Sequence, residues 1–217
     1  MKIFKFVFVI FGFIFTSFAN ASGDTSNSDS ILDKVQRNYK NIKTIEAKFL
    51  QDSHSEALGQ EEKSSGLFKA LIPNNIKVEY KEPREQVYLV TKDGLTYINY
   101  VDSQVVKDSA DSVLKSKLPL TFLAGVGDIK KDFKIEKITL LGNSYKFDLE
   151  PKDDGEIEAI SLWIDKKSLL INKLFVKELG DNTITFELKD IVLNKNVTND
   201  NFIIEIPKGF DLIDNQN

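Results

Sequence analysis

The sequence has no cysteine, a single histidine and only two arginines among its 217 residues. Without cysteine the chain forms no disulfide, offers no thiol nucleophile and presents no thiolate ligand to a metal ion. The acidic residues also lack a metal-ligand pattern, because Asp153, Asp154, Glu156 and Glu158 around Gly155 do not follow the order of a calcium-binding loop. We therefore expect neither a metal nor a cofactor.

The single histidine is poorly placed for catalysis. His54 lies in the polar stretch 52–56, which we predict to be a hairpin loop. A Ser-His-Asp site on a nucleophile turn would need a pattern such as Gly-x-Ser-x-Gly, and the sequence contains none. An exposed loop histidine is the simpler interpretation, so a secreted hydrolase is disfavoured and we expect no enzyme activity.

Positive charge is also in short supply. The formal net charge is −4 at pH 7, and loss of residues 1–21 would remove Lys2 and Lys5 but no acidic residue, taking it from −4 to −6. Binding to a nucleic acid needs clustered cations to neutralise phosphates, whereas the lysines here are spread along the chain. We therefore expect no nucleic-acid partner.

Long apolar runs are absent after residue 21. Before it, two lysines precede the apolar residues 6–15, and Ala19 and Ala21 supply the small side chains that signal peptidase reads. This run is too short for a membrane anchor, since crossing roughly 30 Å of hydrocarbon takes about 20 helical residues. The pattern predicts a signal peptide over residues 1–21, cleaved after Ala21, and hence a periplasmic protein.

Two regions of different character follow the signal. Residues 22–29 are small and polar, which predicts a disordered N-terminus, and residues 30–217 are of a size that fits one domain. The domain begins with a predicted amphipathic helix over residues 30–41. Its apolar stripe consists of Ile31, Leu32, Val35 and Tyr39.

Most of the remaining chain alternates apolar and polar side chains over short segments, which is typical of β-strands. Asp93-Gly94 is a strong hairpin signal, residues 109–124 interrupt the strands and look helical, and the last strand is predicted over 202–206. A meander this long curls and leaves a concave face. We predict a mainly β (α+β) fold: an incomplete antiparallel β-barrel of about 11 strands, with N-terminal and central helices closing a hydrophobic cavity.

Phenylalanine is abundant, with 16 in the whole sequence. Phe49, Phe68, Phe147 and Phe186 fall at alternating strand positions, and Phe122 falls in the central helical segment. These residues could form an ordinary filled core, which the strand pattern alone favours. They could also form a core that opens to admit an apolar ligand.

Several motifs occur in an order that resembles one family. They are Ser65-Gly66-Leu67-Phe68, Ile72-Pro73, Val78-Glu79-Tyr80, Pro83, Gln86, Asp93-Gly94, Tyr97, Tyr100, the central Leu-Pro-Leu-Thr-Phe-Leu of residues 118–123, and the Phe-x-x-x-x-Pro-x-Gly ending of residues 202–209. Together with the N-terminal helix they span nearly the whole mature chain. They are similar to the periplasmic outer-membrane lipoprotein carrier family (LolA).

The resemblance implies a carrier and not an enzyme. It implies protein transport in the periplasm, with chaperone-like binding of lipid, in lipoprotein localisation and outer-membrane biogenesis. The implied partners are acylated lipoproteins, an inner-membrane lipoprotein-releasing ABC transporter and an outer-membrane acceptor, with the carrier itself a monomer. The acyl cavity is expected to be lined by Leu32, Val35, Phe49, Phe68, Ile72, Ile76, Val78, Tyr80, Tyr97, Leu118, Leu120, Phe122, Leu123, Phe147 and Phe186.

The sequence departs from the family at the residue before the proline that ends the second predicted strand. Family members often have an arginine there, which is thought to hydrogen-bond to the central lid helix, whereas this chain has Ile72. The resemblance therefore implies a latch that is apolar or absent. A secreted lipid-sensing or regulatory module with the same half-barrel fold is the alternative function.

Overall fold

The computed structural model describes residues 25–109, 120–125 and 128–216. The predicted signal peptide over residues 1–21 therefore lies outside the described residues. The elements are, in chain order, α1 (Thr25–Tyr39), β1 (Thr44–Ser55), β2 (Gln60–Leu71), β3 (Asn75–Glu82), β4 (Gln86–Thr91), β5 (Gly94–Asn99), β6 (Gln104–Asp108), α2 (Leu120–Leu123), α3 (Ile129–Asp132), β7 (Phe133–Leu141), β8 (Ser144–Pro151), β9 (Ile157–Asp165), β10 (Ile171–Glu178), β11 (Thr183–Leu193), a 3₁₀ turn (Asn199–Phe202) and β12 (Asp211–Asn215).

All twelve strands belong to one sheet, in the order β12-β6-β5-β4-β3-β2-β1-β11-β10-β9-β8-β7. Strands β7 and β12 form the two edges and do not pair with each other, so the sheet is open. Every pairing is antiparallel except that of β12 with β6, which is parallel. The mainly β incomplete barrel is confirmed, with one strand more than predicted.

The predicted hairpin at Asp93-Gly94 is confirmed. Thr91 pairs with Gly94 across the turn, and Gly94 has φ +133°, a conformation that glycine adopts at little steric cost. This register places Tyr88 opposite Tyr97. A local turn signal thus determines which aromatic residues meet across two strands.

Helix α1 lies against the concave face of the sheet and buries the whole predicted stripe. Its start differs from the prediction, because residues 25–29, which we predicted to be disordered, are helical. These residues are Thr, Ser, Asn and Asp, which add no apolar periodicity. A pattern of apolar side chains therefore could not reveal the first helical turns.

The hairpin of β1 and β2 extends further than predicted. Each strand has 12 residues, and His54 lies within β1, opposite Glu61 on β2 and Thr183 on β11. The prediction of a loop at His54 is therefore wrong. Backbone pairing continues there through polar residues, which carry no alternating apolar signal.

The C-terminal segment also differs from the prediction. Residues 203–207 form no strand, although their apolar side chains alternate. The segment crosses the convex face of the sheet instead, where Ile204 and Phe210 pack on the buried cluster of Val87, Ile98 and Val105. The last strand is β12, whose side chains are all exposed and whose two apolar residues, Leu212 and Ile213, are adjacent and so give no alternation. Alternation shows that one side of a segment is covered but not that its backbone is paired.

No helix of the described residues is long and apolar enough to cross a membrane. In the same part of the chain, no three His, Asp or Glu side chains are grouped so as to hold a metal ion.

Candidate functional site

The concave face of the sheet gathers most of the predicted site residues in the main hydrophobic core. Ile72 and Tyr80 are only partly buried and pack against this core, and Leu118 and the side chain of Leu120 lie outside the described residues. Tyr97 contacts Tyr88, which itself packs on the core. The site residues buried within the core are Leu32, Val35, Phe49, Phe68, Ile76, Val78, Phe122, Leu123, Phe147 and Phe186.

A row of five aromatic rings crosses the concave face. Phe186 on β11 stacks on Phe49 of β1 with 4.8 Å between ring centroids, and Phe49 meets Tyr80 of β3 edge to face at 4.9 Å. Tyr80 meets Tyr88 of β4 at 5.7 Å, and Tyr88 stacks on Tyr97 of β5 at 4.5 Å. The row thus connects β11 and β1, in one half of the sheet, with β3, β4 and β5 in the other half. Its contacts are of the kind that aromatic pairs prefer.

Gly66 on β2 makes this row continuous. It pairs with Phe49 of β1 on one side and with Tyr80 of β3 on the other, so β2 runs between the two rings. A Cβ atom at position 66 would lie 2.8 Å from the Phe49 ring and 1.9 Å from the carbonyl oxygen of Glu79. Only glycine leaves room for the rings to meet above β2.

The row is closed at one end and open at the other. Phe186 and Phe49 are 3% and 1% exposed, whereas Tyr80, Tyr88 and Tyr97 are half-buried. Burial, and secondarily the neighbouring phenols, raises the pKa of Tyr80 and Tyr88 well above the ordinary value for tyrosine. The accessible end of the concave face therefore lies over β3, β4 and β5.

Two helices cover the closed end. Leu32 and Val35 of α1 and Phe122 and Leu123 of α2 are buried against the sheet, and the ring of Phe122 meets that of Phe133 at 5.4 Å. These four side chains thus occupy part of the space between the helices and the concave face.

Tyr39, the last residue of α1, ties the two helices to the sheet. Its hydroxyl donates to the Leu123 carbonyl oxygen at 3.4 Å and accepts from the backbone N–H of Ile171 at 3.0 Å. Burial raises the pKa of the Tyr39 phenol far above its usual range, so the hydroxyl keeps its proton. Gly125, with φ +67°, lies so close to the Tyr39 ring that an added Cβ would be 2.0 Å from it.

The other polar contacts of α1 reach the second half of the chain. Lys130 Nζ donates to Asp33 Oδ1 at 2.5 Å, Gln36 Nε2 donates to Asp128 Oδ1 at 3.3 Å, and Asn38 Nδ2 donates to the Ser168 carbonyl oxygen at 2.8 Å. These contacts hold α1 to α3 and to the loop between β9 and β10. Among the residues whose side chains the structure describes, no such contact joins α1 to β3, β4 or β5.

Sequence reasoning missed two residues of this arrangement. Tyr88 could have been found by counting back from the Asp93-Gly94 turn, which places it opposite Tyr97. Tyr39 belonged to the predicted stripe, but its hydroxyl contact with α2 had no sequence signal. Ile72, at the position where family members often have an arginine, is half-buried and packs on the core. The polar contact with α2 comes instead from Tyr39 of α1.

The concave face thus combines flat aromatic faces with aliphatic side chains, and such an apolar area is of the kind that lines ligand sites. His54 does not belong to this surface: its Nε2 lies 3.0 Å from Glu56 Oε2 on the exposed β1–β2 hairpin.

Comparison with known proteins shows what this chain is similar to. The family model described as outer membrane lipoprotein carrier protein LolA matches residues 40–205. The outer-membrane lipoprotein carrier protein of Nitrosospira multiformis is 25% identical over 213 residues, which are 96% of this chain and 97% of that protein. The protein of the same name from Nitrosomonas europaea is 25% identical over 171 residues, 78% of this chain and 82% of that protein.

A solved structure shares the fold. The crystal structure of an uncharacterized conserved protein from Thermus thermophilus matches with a TM-score of 0.56 at 14% identity, covering 87% of this chain and 99% of that chain. The open sheet with helices on its concave face is therefore a fold that other proteins adopt.

Proposed function

Because the chain belongs to the outer membrane lipoprotein carrier protein LolA family, we propose that it is a periplasmic carrier for the acyl chains of lipoproteins. It receives acylated lipoproteins from an inner-membrane ABC transporter and delivers them, as a monomer, to an acceptor at the outer membrane. The observation that carries this proposal is the aromatic row on the concave face, buried beneath helices at one end and accessible at the other.

The strength of the hydrophobic effect limits how such a carrier can work. Burial of one CH₂ group is worth about 0.8 kcal/mol, so three chains of roughly fifteen CH₂ groups would gain about 36 kcal/mol if fully enclosed. Noncovalent affinities saturate near roughly 20 kcal/mol, and a complex of that strength would not release its cargo in useful time. A carrier must therefore enclose only part of the chains, or another process must offset some of the free energy gained by burying them.

The covered end of the concave face provides that offset. Cargo can reach this end of the sheet only by displacing Leu32, Val35, Phe122 and Leu123, whose own buried area must be exposed or repacked. The net affinity is the difference between the two burials, and this makes release to the next acceptor possible.

The polar contacts of α1 support one side on which the lid, formed by α1 and α2, opens. Since α1 is hydrogen-bonded to the second half of the chain, the apolar boundary over β3, β4 and β5 separates at the lower cost. Tyr80, Tyr88 and Tyr97 lie at that boundary, so acyl chains enter along them and move toward Phe49.

The test is to isolate the mature protein from the periplasm and to analyse by mass spectrometry what is bound to it. We expect peptides with an acylated N-terminal cysteine, in a ratio of one lipoprotein to one carrier. Incubation with outer-membrane vesicles should transfer the lipoprotein to the vesicles.

Two results would contradict the carrier function. Retention of a lipid or a partner protein in the presence of vesicles would indicate a sensing or regulatory module. Absence of any acylated molecule from protein isolated under mild conditions would refute binding of acyl chains altogether.

A further inference from the structure

A small polar cavity adjoins the accessible end of the aromatic row. It has a volume of about 190 Å³ and lies where β1, β2 and β3 pass beyond the hydrophobic core. Tyr80 and Tyr88 belong both to the row and to the wall of this cavity, which is completed by Gln51, Ser64 and Gln86. An apolar surface and a hydrogen-bonding cavity are thus continuous with each other.

The cavity holds hydrogen-bonding groups in an ordered arrangement. The Tyr80 hydroxyl donates to Gln51 Oε1 at 2.6 Å, and Gln51 Nε2 donates to Ser53 Oγ at 2.8 Å. Ser64, on β2, is 7% exposed, an unusual degree of burial for a serine outside the apolar core. Such preordered polar groups at the border of an apolar surface favour a ligand that has carbonyl groups next to its acyl chains.

The described part of the cavity wall is polar and carries no net charge. Among the described residues that line it, the charged ones are Arg84 and Glu62, which form an ion pair with each other. The guanidinium is therefore already neutralised, and it would have to leave Glu62 in order to bind a phosphate. A neutral ligand is favoured over the head group of a phospholipid.

The volume restricts the ligand further. At about 30 Å³ for each water in the liquid, 190 Å³ corresponds to about six water molecules, which is much less than the space that an acyl chain needs. A compact group of ester and amide bonds fits this space. The chains attached to it would continue along the tyrosines.

We propose that this cavity binds the ester and amide linkages at the acylated N-terminal cysteine of the cargo, while the aromatic row binds the chains. The inference rests on the carrier function proposed above. It assigns Ser64 and Gln86 as residues that distinguish an acylated cysteine from a bare fatty acid by hydrogen bonds to the linkage carbonyls.

The experiment measures binding of three probes below their micellar concentrations by titration calorimetry. The probes are a short peptide with an N-acyl, S-diacylglyceryl cysteine, palmitic acid, and dipalmitoylglycerol. The variants are Ser64→Val, Gln86→Leu and the two combined. Ser65→Val is the matched control, because its side chain lies on the other face of the same strand.

We expect the double variant to bind the acylated peptide about tenfold more weakly, which is the loss of one to two hydrogen bonds. Binding of palmitic acid should stay within about twofold, and Ser65→Val should match the wild type with every probe. Thermal unfolding of each variant shows whether it folds, and Gln86→Leu provides a test that leaves the buried position 64 intact.

Three results would overturn the inference. Equal losses of affinity for the peptide and for palmitic acid would mean that the cavity recognises no linkage. Unchanged binding of the peptide would mean that the linkage binds elsewhere on the protein. A loss for dipalmitoylglycerol equal to that for the peptide would assign the cavity to glyceryl esters alone and would overturn binding of the amide linkage at the cysteine. Failure of the wild type to bind either the peptide or palmitic acid would instead refute the carrier function itself.

Discussion

The rings of Phe49 and Tyr80 meet edge to face with 4.9 Å between their centroids, although strand β2 runs between the strands that carry them. The contact exists because Gly66, the residue of β2 beneath the two rings, has no side chain. One glycine therefore joins the aromatic residues of the two halves of the sheet.

We predict that Gly66→Ala destabilises the protein by about 2–3 kcal/mol. The new Cβ would lie 1.9 Å from the Glu79 carbonyl oxygen, so β2 and β3 must separate and the aromatic row must break. Urea unfolding followed by circular dichroism measures the loss. Gly155→Ala is the control, because nothing lies within 4 Å of a Cβ at that position, and equal stability of the two variants would contradict the account.

Tyr39→Phe should loosen the lid without unfolding the sheet. The substitution removes the donor to Leu123 and leaves the buried N–H of Ile171 without its acceptor, at a cost of about 1–3 kcal/mol. Hydrogen exchange should become faster at the amides of residues 120–125 and at Ile171. Tyr100→Phe, on an exposed turn, should leave these amides unchanged; uniform exchange in both variants would show that Tyr39 does not hold the lid.

Charge on the concave face should abolish transport. Phe122→Glu or Ile76→Glu either buries an unpaired carboxylate or forces the lid open, since both side chains are at most 5% exposed. Transfer of an acylated lipoprotein to outer-membrane vesicles should fall at least about tenfold while secretion of the carrier continues. Leu58→Glu, at an exposed hairpin, is the control, and unimpaired transfer in both core variants would mean that the binding surface is misplaced.

Alkaline pH should weaken the accessible end of the row. The pKa of Tyr80 is raised by burial above its ordinary value of 10.0, so its contribution to stability is complete below pH 10 and is lost as the pH rises further. Each such tyrosine lowers the free energy of unfolding by up to about 1.4 kcal/mol per pH unit above pH 10. Chemical unfolding between pH 9 and 11 should give a shallower decline for Tyr80→Phe than for the wild type. Identical slopes would show that Tyr80 titrates as an exposed phenol.

Much of the fold could be predicted because its elements follow local rules. The stripe of α1 follows helical periodicity, and the hairpin between β4 and β5 follows the backbone freedom of Gly94. Predictions failed in segments whose polar or alternating residue pattern is compatible with more than one structure. The helical start at Thr25, the strand through His54 and the face-crossing segment after Phe202 are all cases in which similar patterns suit different partners.

The inward-facing residues of the concave face were predictable as a set, but their arrangement was not. Phe49, Tyr80 and Phe186 could each be placed on an inward face by alternation alone. Their contact in one row depends on the register of three strands that are far apart in the chain. The role of Tyr39 depends on where α2 and β10 meet the end of α1, and no local pattern contains that information.

The sequence by itself determined which residues turn inward, where many of the strands turn and that no thiol chemistry is available, because these follow from side-chain periodicity, backbone freedom and composition. Only the tertiary structure decided that side chains of α1 and α2 cover one end of the concave face, that α1 is bonded to the second half of the chain, and that a polar cavity lies at the open end of the aromatic row. These features depend on contacts between residues distant in sequence, whose free energies are realised only when the whole sheet has formed.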